Sequence, residues 1–386
     1  MKKILFYAMI SFVSIAFMSC DKDKNNATDP TSDNPSSTST TITCDPTTQT
    51  VFENGGSFTV SISSFKAWSA TTNKTWVTIS PNSAQGDAFV TIKVASGGKD
   101  EATVLFSNGE GTAKLIIYRE EEPQSYPNGI LPGKFSVSSS KKVQFSQGNL
   151  QYQASTKTWR FAHHQYDIIG NNDVAGYGNS YIGNTYSGWI DLFGWGTGNN
   201  PVLSSTSESN YSVFVDWGTN AISNGGNKAN QWRTLSYDDL DYLFLKRGNA
   251  AKLLGLGKVN GKRGLIILPD NWQTPSDVTF TPSTSLGMTR DTYSYSDSGS
   301  DHYRDNVYTA EQWNIMESAG AVFLPEAGYR RGTSYESSYG CYWSSYKRND
   351  GYVMHLEFSN HEIIPHTMAG QESYDGLSVR LVREIE

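Results

Sequence analysis

Basic charge, cysteine and long apolar runs are all scarce in these 386 residues. Lysine and arginine number 31 against 38 aspartates and glutamates, a net charge of −7. A protein that binds nucleic acid by neutralising phosphates needs the opposite balance, so no nucleic-acid partner is expected. Three cysteines are too few for a disulfide scaffold. No second long apolar run follows the N-terminus, which excludes a multipass membrane protein. Charged residues make up only 18%, below the usual ~25%. The 22 Tyr, 17 Phe and 10 Trp nevertheless supply ample apolar area to bury, so the chain as a whole is not disordered. Its length suggests about two or three domains.

The single apolar run, Ile4 to Phe17, follows Lys2 and Lys3. It has signal-peptide length and falls short of the ~20 residues that span a bilayer. Phe17-Met18-Ser19-Cys20 closes it. A small residue before a cysteine at this place resembles the lipobox of bacterial lipoproteins. That resemblance implies removal of 1–19 and acylation of Cys20, whose partner is then outer-membrane lipid. Two or three acyl chains anchor stably where one is marginal. Residues 20–40 are polar and without periodicity, a flexible tether with a reach of roughly 25 Å. Asp21-x-Asp23-x-Asn25 lacks the glycine and closing glutamate of a calcium loop.

From 41 to 120 apolar residues alternate with polar ones: Phe58, Val60 and Ile62; Val90, Ile92 and Val94; Val104 and Phe106; Leu115 and Ile117. Period-two runs broken at Gly55-Gly56, Ser96-Gly97-Gly98 and Asn108-Gly109 predict an all-β, Ig-like sandwich. The order Gly55-Gly56-x-Phe58, Trp68, Trp76-Val77-x-Ile79 resembles the BACON domain, a β-sandwich of surface proteins in gut Bacteroidetes. The resemblance implies either a spacer or a sugar binder. Trp68 and Trp76 are the candidate sugar platform, with Trp76 alternatively in the core. Residues 121–127 read as a linker.

The remaining domain, 128–386, mixes short strands with few helices and long loops, an α+β pattern. Ser236-Tyr237-Asp238-Asp239 before Leu240, Leu243 and Phe244, and Thr309-Ala310-Glu311-Gln312 before Trp313 and Met316, carry helix-start chemistry. Asn149-Leu150-Gln151-Tyr152, the Trp189–Gly196 run, Gly320-Ala321-Val322-Phe323-Leu324-Pro325-Glu326-Ala327-Gly328-Tyr329-Arg330, Tyr342-Trp343-Ser344-Ser345 and Ser378-Val379-Arg380-Leu381 together resemble Fibrobacter and Bacteroidetes paralogous surface domains. These belong to the C-type-lectin-like, formylglycine-generating-enzyme-like fold group. The fold implied is a C-type-lectin-like head.

Within 352–358, Tyr352, Met354, Leu356 and Phe358 form an apolar face expected to pack inward. Val353, His355, Glu357 and Ser359 form a mixed face expected to meet solvent. Unpatterned loops at 346–351 and 367–376 flank this segment. A fixed frame with irregular insertions also resembles the variable region of retroelement-diversified proteins. The ligand-binding candidates are Cys341, Tyr346, Lys347, Arg348, Asp350, His355, Glu357, Ile364, His366, Met368 and Tyr374.

Catalysis finds little support. Oxidases of this fold group hold Cu(I) on two thiolates, and the head offers only Cys341. No Gly-x-Ser-x-Gly nucleophile turn occurs. Asp350 with Glu357 is a weak glycosidase-type pair, since acidic surfaces offer many. His163-His164 point apart if they lie on a strand, and His361 with His366 is a weak ligand pair. Pro269-Asp270-Asn271 resembles part of a lectin calcium motif without its second element. The chain is therefore expected to be a lipid-anchored, surface-exposed binding protein without cofactor, metal or enzymatic activity, recognising a protein or glycan through about 346–376. The alternatives are a structural envelope or fimbria-associated subunit and an accessory protein of polysaccharide utilisation.

Overall fold

The computed structural model describes residues 41–120, 126–170, 177–184, 186, 188–282, 287–289, 294–296, 300–337, 339–349, 352–367 and 371–385. Cys20, the 20–40 tether, Asp350 and Met368 lie outside them. The chain is mostly β-sheet, with 43% strand and 13% helix. It divides into two compact units, Met1–Glu122 and Pro123–Glu386. Among the described residues no helix is long and apolar enough to cross a membrane.

The first unit is a sandwich of nine strands. One sheet runs Ile42–Asp45, Gly56–Ser64, Ala88–Val94, Val77–Ser80; the other runs Thr48–Phe52, Thr112–Glu120, Asp100–Ser107, Ala67–Thr72, Ser83–Gln85. All pairs are antiparallel except Thr48–Phe52 with Thr112–Glu120. The alternation in sequence becomes the alternation of faces. Val90, Ile92 and Val94 enter the core with Val104, Phe106, Leu115 and Ile117, while Phe89, Thr91 and Lys93 face out. Trp68 belongs to this core, its ring edge-on to Phe106 and its indole N–H donating to the Gly86 carbonyl at 2.8 Å. It cannot serve as a sugar platform. Trp76 is half-buried; the Arg119 guanidinium lies 4.2 Å over its ring and its N–H donates to Asp100. The proposed aromatic platform is thus dismantled by packing on one side and a cation–π contact on the other.

The second unit pairs its beginning with its end: Lys142–Phe145 lies between Phe135–Ser136 and Val382–Ile385. A four-stranded sheet runs Val307–Tyr308, Leu254–Val259, Lys262–Ile267, Val322–Pro325. A five-stranded sheet runs Gly287–Thr289, Ser294–Ser296, Glu362–Thr367, Val353–Ser359, Gly340–Lys347. Both helix starts read from the sequence form reciprocal capping boxes, Ser236 with Asp239 on Tyr237–Asp241 and Thr309 with Gln312 on Ala310–Ser318. Leu240, Leu243, Phe244, Trp313 and Met316 are all buried.

Two apolar clusters decide where the last sheet's side chains go. One includes Tyr342, Leu356, Phe358 and Ile363; the other includes Cys341, Trp343, Val353, Leu377 and Val379. The strand Val353–Ser359 is therefore covered on both faces. Gly340 stands opposite Phe358, where a Cβ would come within 2.0 Å of the phenyl ring, so the close approach requires glycine.

In this unit the carboxyls of buried Asp191 and Glu317 and of half-buried Glu326 are raised by desolvation first. Asp191 accepts from the Ile169 N–H and the Asn179 side chain, both at 2.8 Å, yet burial still pushes it up to about 6. The folded state then holds a proton that the unfolded chain releases near pH ~4. The stability this contributes is complete below that value and lost as pH rises through about 6. The urea midpoint of the second unit is expected to fall between pH 4.5 and 7, by the equivalent of about 1–3 kcal/mol. A midpoint flat across that window would contradict the assignment.

Candidate functional site

The C-terminal hairpin, Gly340–Lys347 with Val353–Ser359, and the following strand Glu362–Thr367 hold most of the ligand-binding candidates. The apolar face is as expected for Met354, Leu356 and Phe358, whereas Tyr352 is 51% exposed. The mixed face departs from expectation. His355 is fully buried, Val353 and Ser359 are buried, and the Glu357 side chain retains 15% exposure. Cys341 is also fully buried. Cys341 and His355 are accordingly withdrawn as surface contacts. The cause is the second apolar cluster, which brings Leu377 and Val379 against the face that the sequence leaves open.

What reaches solvent is an aromatic group at the other end of the sheet. Tyr346, 44% exposed, lies 5.6 Å from the Tyr237 ring, and Tyr237 meets His366 edge-on at 4.9 Å. Half-buried Lys347 places its ammonium 5.5 Å from the centre of the Trp195 ring. Arg348 closes the hairpin by donating its backbone N–H to the Tyr352 carbonyl at 2.8 Å. Ile364 and His366 are half-buried, as their register predicts. Tyr374 sits elsewhere, beside the sheet Ser334–Glu336, Tyr329–Arg331, Asp375–Gly376, with the Arg331 guanidinium 5.7 Å from its ring centre. The structure thus joins Tyr346 and His366, and it joins them through Tyr237, which the sequence reading did not select. Its signal was present: Tyr237 follows the Ser236 cap, and Leu240, Leu243 and Phe244 take the buried face.

The electrostatics of this group are mild. Desolvation lowers the His366 pKa, opposed by Asp241, so the imidazole is neutral at pH 7. Burial raises the Tyr237 hydroxyl, with Asp241 adding to it. Asp241 is itself paired with Lys246 at 2.5 Å. The surface is aromatic and near-neutral, framed by an ion pair.

Other candidates are spent on structure. Asp270 accepts from the Ser136 backbone N–H and hydroxyl and pairs with Lys142 and Arg247, so it offers no free carboxylate to a calcium ion. His164 stacks on Tyr166, and His361 pairs with Asn360. Among the tryptophans of the long loops, Trp195, Trp217 and Trp232 fill the core, and Trp189 is half-buried beneath Arg160 at 3.7 Å. One convergence of donor atoms stands apart: Cys341, His355 and Glu357 each place a ligand-type atom within 4.8 Å of the other two.

No protein-family model matches the chain, and no curated protein matches it significantly. Among solved structures it is similar to a Bacteroides ovatus GH5 xyloglucanase in complex with a XXXG heptasaccharide, at 16% identity over 39% of this chain, with a TM-score of 0.21. The match spans 36% of that protein's length. It is also similar to SSP-19, an MSP-domain protein of Caenorhabditis elegans, at 18% identity over 20% of this chain and 98% of that one, TM-score 0.18. Domains 4 and 5 of the S-layer protein SbsC match at 21% identity over 21% of this chain and 51% of that one, TM-score 0.18.

Proposed function

We propose that the chain is a lipid-anchored cell-surface binding protein, with a sandwich stalk and a C-type-lectin-like head that engages a glycan or protein through the Tyr237, Tyr346 and His366 surface. The carrying observation is the chain of three contiguous rings, His366 to Tyr237 to exposed Tyr346, at the end of a sheet whose strands are otherwise largely buried. Aromatic rings supply large contact area at low entropic cost, and their faces stack on sugar C–H groups. Lys347 and Arg348, on the same turn, supply orientation. Acylated Cys20 and the polar segment after it would set the head off the membrane.

A glycan array and a panel of surface-protein ligands, probed with the mature chain, test this. Tyr346→Ala and Tyr237→Ala are each expected to weaken whatever the wild type captures by about 30-fold, the scale of an aromatic hot spot of ~2 kcal/mol. Capture that survives the double substitution would place the binding face elsewhere.

A further inference from the structure

We propose that Cys341, His355 and Glu357 form a binding site for one divalent transition-metal ion of the borderline class represented by Zn²⁺. This is independent of the ligand-binding surface above and runs against the absence of metal expected from sequence.

The backbone register builds the site. Cys341 stands directly opposite Glu357, and Trp343 opposite His355. Residues two apart on a strand share a face, so the thiol, the imidazole and the carboxylate project to one side of the hairpin. Both neighbouring strands are irregular at this level. The pairing slips between Trp343 and Lys347 on one side, and opposite His355–Glu357 on the other, where Pro365 falls within the slip. Bulges of this kind re-aim side chains and gather beside functional sites.

The donor geometry suits a cation better than a hydrogen bond. His355 Nε2 and Glu357 Oε2 are 3.4 Å apart, long for a charge-assisted hydrogen bond. Two donors in a tetrahedral shell with bonds of ~2.0–2.2 Å stand about 3.3–3.6 Å apart. On binding, the thiol's S–H bond breaks, a sulfur–metal bond forms, and the proton leaves to bulk buffer.

The donor set narrows the cation. Calcium and magnesium take oxygen ligands and would reject the thiolate and imidazole. One thiolate, one imidazole and one carboxylate match Zn²⁺, and three protein ligands leave its fourth position to water. The partly exposed Glu357 gives the site its contact with solvent.

Cobalt(II) titration of the chelator-treated full chain provides the test. One equivalent is expected to produce a thiolate-to-cobalt charge-transfer band and tetrahedral ligand-field bands, both bleached by one equivalent of Zn²⁺. Cys341→Ser should abolish the charge-transfer band and Cys44→Ser should keep it. Glu357→Gln, at a partly exposed position that tolerates the change, should fold normally and weaken cobalt binding at least tenfold. No thiolate band in the folded wild type, a band surviving Cys341→Ser, or unaltered affinity in Glu357→Gln would each overturn the proposal. Cobalt held by surface histidines alone gives no thiolate band and counts against it.

Discussion

Truncating Trp343 to alanine is expected to destabilise the second unit by about 3–5 kcal/mol, the usual cost of deleting a buried indole. Trp343 is almost wholly buried within the cluster that holds Phe193, Leu377 and Val379. Its indole N–H donates to the Phe193 carbonyl at 2.6 Å, and its ring meets His355 edge-on at 5.9 Å. The substitution removes the packing, opens a cavity and takes one of two donors from the Phe193 oxygen, which keeps the Leu377 N–H at 3.0 Å. A domain of ordinary stability holds only about 5–15 kcal/mol in total. Urea unfolding followed by far-ultraviolet circular dichroism should therefore show the second unit melting early. Trp343→Phe keeps most of the ring and loses the N–H, so it should cost less than alanine does. A shift below about 1 kcal/mol for alanine would mean that neighbouring side chains refill the space, contrary to close packing.

The same residue shows where sequence reasoning stops. Local chemistry was legible: a serine or threonine three residues before an acid or amide gave both capping boxes, and period-two alternation gave the sandwich strands. The hairpin's polar face was not. Alternation reports which side chains are polar, and His355, Glu357 and Ser359 are polar. Whether anything covers them depends on Leu377 and Val379, which return to the sheet from further along the chain. The meeting of Cys341 with Glu357 was hidden because it depends on hairpin register, and the pairing slips beyond Trp343. Tyr237 was passed over because its partners, Tyr346 and His366, lie on strands more than a hundred residues away. Trp68 was misread for the opposite reason: a tryptophan suits a sugar platform and a sandwich core equally well, and only the Gly86 carbonyl and Phe106 decide between them.

Arg330, in the motif Gly328-Tyr329-Arg330, carries the second large effect. It is fully buried, and its guanidinium donates to three backbone carbonyls, Leu192, Gly332 and Leu203, each at 3.0 Å. Those oxygens belong to three separate stretches of chain, so one planar fork ties the irregular segments near 192 and 203 to the strand Tyr329–Arg331. Burial lowers its pKa to about 10, which leaves it charged at pH 7. Gly376 makes room for it, since a Cβ there would stand 2.4 Å from the arginine Cγ. Arg330→Met keeps much of the aliphatic volume but strips the donors from all three carbonyls. A loss of about 3–5 kcal/mol is expected, comparable to breaking a buried charged contact. Arg330→Lys is the sharper variant. It preserves the charge, but an ammonium cannot reproduce three diverging donors in one plane, so more than half of that loss should persist. Arg304→Ala, at an exposed ion pair with Asp301, should stay within about 0.5 kcal/mol under the same conditions. If lysine restored full stability in urea unfolding, charge alone would explain the site and the fork geometry would be incidental.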